Sequence, residues 1–400
     1  MKSIAFLIST AITCTIAQKL ISVPFEAVDR KTMKAASFEN RLVNAPLVNV
    51  DLAYLIDIEI GTPPQPFTLL LDTGSSSTWV PISGCGRYCG YPLHTIEPLK
   101  SSTFNATGTP FSIRYGEGFA SGYYAQDTMT VNGAVIPEVV NKIIRNSYTI
   151  LLTPSVKNFA VSDYNDGELT SDGADGILGI GPDRLSIYNN PENKEYPTLV
   201  TTMYQKGVIA HQTFSVFFHP VTTSKRRING EIVFGGVDAK HIIGDIKYAP
   251  ITRRKEFGDY WAVDIQNIRI GDIIKNYGDG IPAMVDTGST LIYLPKDVVS
   301  TVFKDIEGVR RDVLGQYLVP CKVANLPNIT LTLNNNDFVI TPQQYVITSG
   351  AMSISKDFCY TYIQESPSFV DAILGYGFLQ QYVSVYDHEN RRIGLARRAR

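Results

Sequence analysis

Asp72-Thr73-Gly74-Ser75-Ser76-Ser77-Thr78-Trp79-Val80-Pro81 aligns without a gap on Asp286-Thr287-Gly288-Ser289-Thr290-Leu291-Ile292-Tyr293-Leu294-Pro295, with Asp, Thr, Gly, Ser and the closing Pro identical. A second echo follows each copy: Asp175-Gly176-Ile177-Leu178-Gly179 after the first and Asp371-Ala372-Ile373-Leu374-Gly375 after the second. Two echoes in the same order make an internal repeat, and a repeat of this length predicts two similar lobes. An apolar strand enters each copy, Leu69-Leu70-Leu71 and Ala283-Met284-Val285. Such a strand running into Asp-Thr-Gly puts a carboxylate on a tight turn where neighbouring N–H groups can point at it. A two-fold arrangement of the lobes brings both turns to one interface.

Around this repeat the chain reads as β. Short runs of Val, Ile, Thr, Tyr and Phe are cut by Gly, Asn, Asp and Pro, as in Tyr54 to Ile60, Phe67 to Leu71, Phe214 to Phe218, Ile232 to Phe234 and Thr330 to Leu333. Helices are expected only over Pro197 to Lys206, stopped by Gly207, and over Lys296 to Ile306, stopped near Gly308. Ile113-Arg114-Tyr115-Gly116-Glu117-Gly118-Phe119 is a strand opening into a Gly-rich tip and reads as a hairpin. A dinucleotide-binding reading of those glycines fails, since no helix pattern follows and the third glycine is misplaced.

Length and composition agree with an all-β, two-lobed globular chain: 400 residues, 44% hydrophobic and 18% charged. Lys2, an apolar run from Ile4 to Ile16 and the small Ala17 fit a cleaved secretory signal over residues 1–17. That run is too short for a bilayer, no later stretch is long and apolar enough, and neither membrane nor nucleic acid is an expected partner. Net charge is −2 over the whole chain, but Gln18 to Pro46 carries five cations against three carboxylates, whereas Leu47 onward sums to −5. A basic leader ahead of an acidic body suggests a propeptide over 18–47, followed by lobes over 48–220 and 221–400.

Outside the signal the cysteines are Cys85, Cys89, Cys321 and Cys359. In an oxidising compartment this even number suggests two disulfides, and the smallest loops close Cys85 with Cys89 and Cys321 with Cys359. The alternative, a metal site, lacks a histidine at ligand spacing beside either pair. The five histidines form neither metal-ligand spacing nor a Ser-His constellation and read as surface or packing residues. Asn105-Ala106-Thr107 and Asn328-Ile329-Thr330 are glycosylation sequons.

Two facing carboxyls cannot easily both ionise, so they share a proton and supply a base and an acid side by side. That chemistry needs neither metal nor cofactor. From about Val48 to the C-terminus the chain resembles the pepsin-like aspartic proteases, most of all secreted fungal enzymes of the mucorpepsin and rhizopuspepsin type. The resemblance implies a bilobal fold and a secreted endopeptidase that acts on polypeptides at acidic pH through a water held between Asp72 and Asp286. It implies that Ser75 and Ser289 bond the outer oxygens of the pair, and that Thr73 and Thr287 tie the loops together beneath it, with Gly74 and Gly288 in the same turns. It implies a flap with Tyr115 and Gly116 at its tip, Tyr115 bonding Trp79, and Ile177 at the substrate. Glu117, at a flap position where many relatives carry Thr, Ser or Asp, predicts tolerance of Lys or Arg at P1 beside Phe, Leu and Met.

Both cysteine pairs match bridges of the family, although the first loop is one residue shorter than pepsin's and pepsin's short second-lobe bridge is absent. The resemblance further implies inhibition by pepstatin-like compounds, a monomer, and a propeptide that closes the zymogen with a basic side chain, for which Arg30, Lys31, Lys34 and Arg41 are candidates. Casein cleavage and a role in digesting environmental protein are expectations of the same kind. Two readings from other classes stand against it. A non-catalytic binding or inhibitor protein of this fold would be expected to lose an aspartate or the flap tyrosine, and a sugar-binding β protein would show aromatic platforms in place of paired carboxylates.

Overall fold

A computed structural model describes residues 20–29, 52–116, 118–136, 157–166, 173–218, 227–312, 315–322, 325–348 and 357–399. The expected signal, the basic residues Arg30, Lys31, Lys34 and Arg41, and the flap residue Glu117 lie outside them.

Among the described residues the strands form sheets of 15, 7 and 3 members, and helices are few and short. The two expected helices are present as Leu199–Gln205 and Lys296–Phe303. Gly207, at φ 66°, ends the first in the left-handed conformation that a side chain disfavours. The strand expectations fall on Leu52–Ile60, Gln65–Asp72, Thr213–Phe218, Arg227–Phe234 and Ile329–Leu333.

The repeat in the sequence is a repeat in topology. Gln65–Asp72 pairs in parallel with Gly176–Gly179, and that short strand pairs antiparallel with Trp79–Pro81. In the second half Ile273–Val285 pairs in parallel with Ala372–Leu374, which pairs antiparallel with Ile292–Leu294. The Asp-Thr-Gly turn therefore leaves one strand and returns on the far side of the Ile-Leu strand. Close approach explains the glycine that ends each echo. A Cβ on Gly179 would lie 2.7 Å from the Ser77 backbone nitrogen, and one on Gly375 would lie 2.4 Å from the Leu291 carbonyl oxygen.

The largest sheet joins the halves. Thr213–Phe218 pairs with Tyr382–Asp387, which pairs with Arg392–Arg398, while its other edge meets Arg227–Phe234. Ile21–Asp29 lies between Arg227–Phe234 and Leu52–Ile60, antiparallel to both. Its inward face is anchored by Phe25, which is buried edge-on against Tyr54 and Phe218. The flap is the antiparallel pair Asn105–Arg114 and Phe119–Asp127, closed by the Tyr115 N–H donating to the Gly118 carbonyl, 3.0 Å, with Gly118 at φ 87°.

Both disulfides are formed as expected, Cys85–Cys89 and Cys321–Cys359. Asn105 and Asn328 are exposed. No helix among the described residues is long and apolar enough to cross a membrane.

Candidate active site

The two Asp-Thr-Gly turns meet where the lobes touch. Asp72 and Asp286 are buried and within hydrogen-bonding reach of each other, and each turn presses against the opposite carboxyl. A Cβ on Gly74 would lie 2.9 Å from Asp286 Oδ1, and one on Gly288 2.7 Å from Asp72 Oδ1. Only glycine leaves room for both carboxyls.

The two halves satisfy their carboxylates in the same way. The Gly74 N–H donates to Asp72 Oδ1 at 2.8 Å and the Gly288 N–H to Asp286 Oδ1 at 2.8 Å. The Ser75 hydroxyl donates to Asp72 Oδ2, and the Ser289 hydroxyl to Asp286 Oδ2 at 2.6 Å. Beneath them Thr73 and Thr287 exchange bonds across the interface. Each backbone N–H donates to the other's hydroxyl, 3.1 and 2.9 Å, and each hydroxyl donates to a carbonyl of the opposite entry strand, Val285 and Leu71, both 2.9 Å. All four groups are buried, so the lobes are held by polar contacts that solvent cannot replace.

Burial pushes the Asp72 carboxyl above the usual carboxylate range, and the charge of Asp286 adds to the rise. Burial raises Asp286 as well, opposed by its bonds from Ser289 and Gly288. Two carboxyls raised together in one site hold a proton between them well above the pH at which an exposed pair would have lost it.

Above the pair runs a cleft of ≈ 1640 Å³ whose walls include Leu70, Phe111, Ile113 and Ile177 from one lobe, with Met284 and Ile373 from the other. Ile177 and Ile373 are the matching residues of the second echo, so the repeat also supplies equivalent apolar walls. Tyr115 and Gly116 line the cleft from the flap. Trp79 stands behind it, fully buried, and its indole Nε1–H donates to the Tyr115 hydroxyl at 2.9 Å. Burial and the nearby charge of Asp72 push that hydroxyl well above the usual tyrosine range, so it stays a neutral hydroxyl throughout acid and neutral pH.

Sequence reasoning did not reach Tyr260, Gln316, Gln364 and Glu365, which complete the second-lobe wall. Tyr260 and Gln316 stand on loops, and Gln364 and Glu365 on the short strand Ile363–Glu365, all outside the two sequence echoes, so no pattern marked them. The described histidines do not line the cleft. His388 is half-buried, edge-on to Trp261, and held down to about 4 chiefly by its removal from solvent, and His94 bonds the buried Asp175 carboxylate at 2.8 Å. His241 does gather near Glu231 and Asp238, but the Lys240 ammonium is 2.7 Å from Asp238 and 3.9 Å from Glu231 and supplies the positive charge there.

Paired buried carboxyls on mirrored turns, under a flap and between two β lobes, define an aspartic peptidase. A family model for eukaryotic aspartyl proteases matches residues 53–398, and the chain belongs to that family. It is 32% identical to human gastricsin over 88% of this chain and 83% of that one. It is 33% identical to vacuolar protease A of Aspergillus fumigatus over 86% of this chain and 78% of that one. The crystal structure of the aspartic proteinase from Irpex lacteus superposes with a TM-score of 0.73 at 27% identity, covering 95% of this chain and 98% of that one. The fold is thus the bilobal all-β fold of the pepsin-like enzymes, and the protein is an aspartic endopeptidase acting on polypeptides.

Proposed function

We propose that Asp72 and Asp286 are the catalytic pair of this endopeptidase and that they act through a water held between them. The ionised carboxylate takes a proton from that water as its oxygen bonds to the scissile carbonyl carbon. The protonated partner gives its proton to the carbonyl oxygen, and collapse of the tetrahedral species breaks the C–N bond as the amine is protonated. The reciprocal placement of the two carboxyls supports this reading above any other observation. Each is fixed by one serine hydroxyl and one glycine N–H, which leaves their facing sides to the reaction. Tyr115 and Gly116 would close over an extended substrate and exclude water, with Trp79 keeping the tyrosine turned inward.

The apolar walls at Leu70, Phe111, Ile113 and Ile177 favour a hydrophobic P1 residue. Glu117 lies outside the described residues, and its part in accepting a basic P1 residue rests on the resemblance alone. In that reading the Glu117→Gln variant loses most cleavage of a P1-lysine peptide and keeps that of a P1-phenylalanine one. Equal rates for the wild type and Glu117→Gln on the lysine peptide would remove the idea.

We also propose export to the cell exterior as a monomer, after loss of residues 1–17, with 18–47 as an inhibitory propeptide and glycans at Asn105 and Asn328. The basic excess of that segment supports the propeptide, as does its strand Ile21–Asp29, seated in the sheet that joins the lobes. The test is hydrolysis of casein or haemoglobin across the acid range after acid treatment, with and without pepstatin. Acid-range activity abolished by pepstatin is expected. A folded, leader-free protein that cuts neither substrate would overturn the catalytic reading in favour of a binding protein.

A further inference from the structure

A second cavity, of ≈ 560 Å³, opens beside the cleft, and Tyr188 lines both. Its wall is strongly basic. Arg184 comes from the turn Asp183–Asn189, Arg253, Arg254 and Lys255 from the loop between Ile242–Pro250 and Ala262–Ile270, and Arg391 from the turn before Arg392–Arg398. One carboxylate lines it, Asp259, giving a local sum of +4 in a chain whose net charge is −2.

The single carboxylate is already engaged, by Arg184 at 3.1 Å and by the Tyr188 hydroxyl at 2.9 Å. Two other guanidiniums are fixed by neutral acceptors: Arg254 donates to the Gly280 carbonyl at 2.5 Å and Arg391 to the Gly258 carbonyl at 2.9 Å. Carbonyl bonds set their position without neutralising their charge. Arg253 and Lys255 are exposed and pair with no carboxylate among the described residues. Arg253, Arg254, Lys255 and Arg391 thus converge on one hollow without pairing with a carboxylate among the described residues, and an anion entering it relieves their mutual repulsion.

The position of the hollow says what that anion belongs to. Tyr260 lines the cleft and its neighbour Asp259 lines the basic cavity, so a chain leaving the cleft past Tyr188 passes the cations. An extended peptide advances about 3.3 Å per residue and turns successive side chains to opposite sides, so a residue beyond the scissile segment can point into the hollow while the backbone continues. We infer that this cavity is a distal subsite for an acidic side chain, Asp or Glu, of the bound polypeptide, with Arg253 and Lys255 as its specificity-determining cations. The inference rests on the endopeptidase reading only for the extended path of the substrate.

Affinity without turnover tests it. Peptides with a common apolar core and a reduced scissile bond carry a Glu-Glu or a Gln-Gln tail on either end, and binding is read by fluorescence anisotropy at low salt near pH 5, about a unit above the ordinary carboxyl value. On one end the Glu tail should bind about tenfold tighter than the Gln tail, and 0.5 M NaCl should erase most of the difference, since ~0.5 M salt shortens the screening length to a few ångströms. In the R253Q/K255Q double variant the Glu tail should fall to within about twofold of the Gln tail, while the Gln-tailed peptide binds as it does to the wild type. Equal affinity for Glu and Gln tails on both ends of the wild type would overturn the subsite. A Glu preference that survives in a double variant still binding the Gln peptide would do the same. Cleavage of the unreduced Gln-tailed parent is scored separately and reports on the endopeptidase reading alone.

Discussion

Asp286→Asn is expected to lower kcat by roughly 10²–10⁴-fold with KM nearly unchanged, because general acid–base catalysis of this kind supplies a factor of that size and the amide can neither share the proton nor take one from water. Asparagine fills the same space and can still accept from Gly288, so the fold should persist. The same variant makes a second, opposite prediction for stability. Burial and the charge of Asp286 raise the Asp72 carboxyl above its unfolded value. A group whose folded value is raised binds its proton more tightly in the native state. Its favourable contribution is complete below the unfolded value of about 4 and is lost as pH rises through the higher folded value. Removing the neighbouring charge reduces that loss. Asp286→Asn should therefore melt at a higher temperature than wild type near neutral pH, by a stability difference on the order of a few kcal/mol, and at the same temperature near pH 3. Thermal unfolding at both pH values checks it. A variant destabilised at every pH would show that the carboxylate is needed for folding, and a variant with wild-type turnover would remove the dyad altogether.

The pair was legible in the sequence because symmetry wrote it twice. A single Asp-Thr-Gly is a common turn, but Asp72 and Asp286 share the same flanking residues and the same downstream echo. The meaning of that echo was not legible. Ile177 opposes Leu70 in parallel register across more than a hundred residues, and a period-two pattern records which face is buried but not which strand lies alongside. The same limit hid the shared sheet, in which Thr213–Phe218 from one side of the expected lobe boundary pairs with Tyr382–Asp387 from the far end of the chain. Tyr115 was legible through its glycine-rich tip. Tyr260 and Gln316 were not, since loop residues that reach a cleft obey no local periodicity. The run Arg253-Arg254-Lys255 was visible as three cations in a row, yet only the fold brings Arg184 and Arg391 to it from residues some seventy and well over a hundred positions away.

Thr73→Val should separate the geometry of the pair from its chemistry. The Thr73 hydroxyl accepts from the Thr287 N–H and donates to the Val285 carbonyl, and Thr73 and Thr287 are almost completely buried. Valine has the same shape but neither function, so the Thr287 N–H loses its acceptor at the lobe interface. An unsatisfied buried donor costs about 1–3 kcal/mol, and the lost bond to Val285 adds to it, for a destabilisation on the order of 2–4 kcal/mol. The catalytic effect follows through position, since Thr287 lies between Asp286 and Gly288 and any shift of that turn moves the Asp286 carboxyl against Asp72. A displacement of about 1 Å in such a site costs roughly 10²-fold in rate. The expected result is a kcat lowered by about that factor at every pH, with the acid and base limbs of the pH profile kept, because both carboxyls remain. Thr73→Ser restores the hydroxyl and should return both the melting temperature and the rate to near wild type. If Thr73→Val melts and turns over as wild type does, the reciprocal threonine bonds do not position the carboxyls. If it instead removes one limb of the profile, the threonine acts on the proton of the pair and not on its geometry.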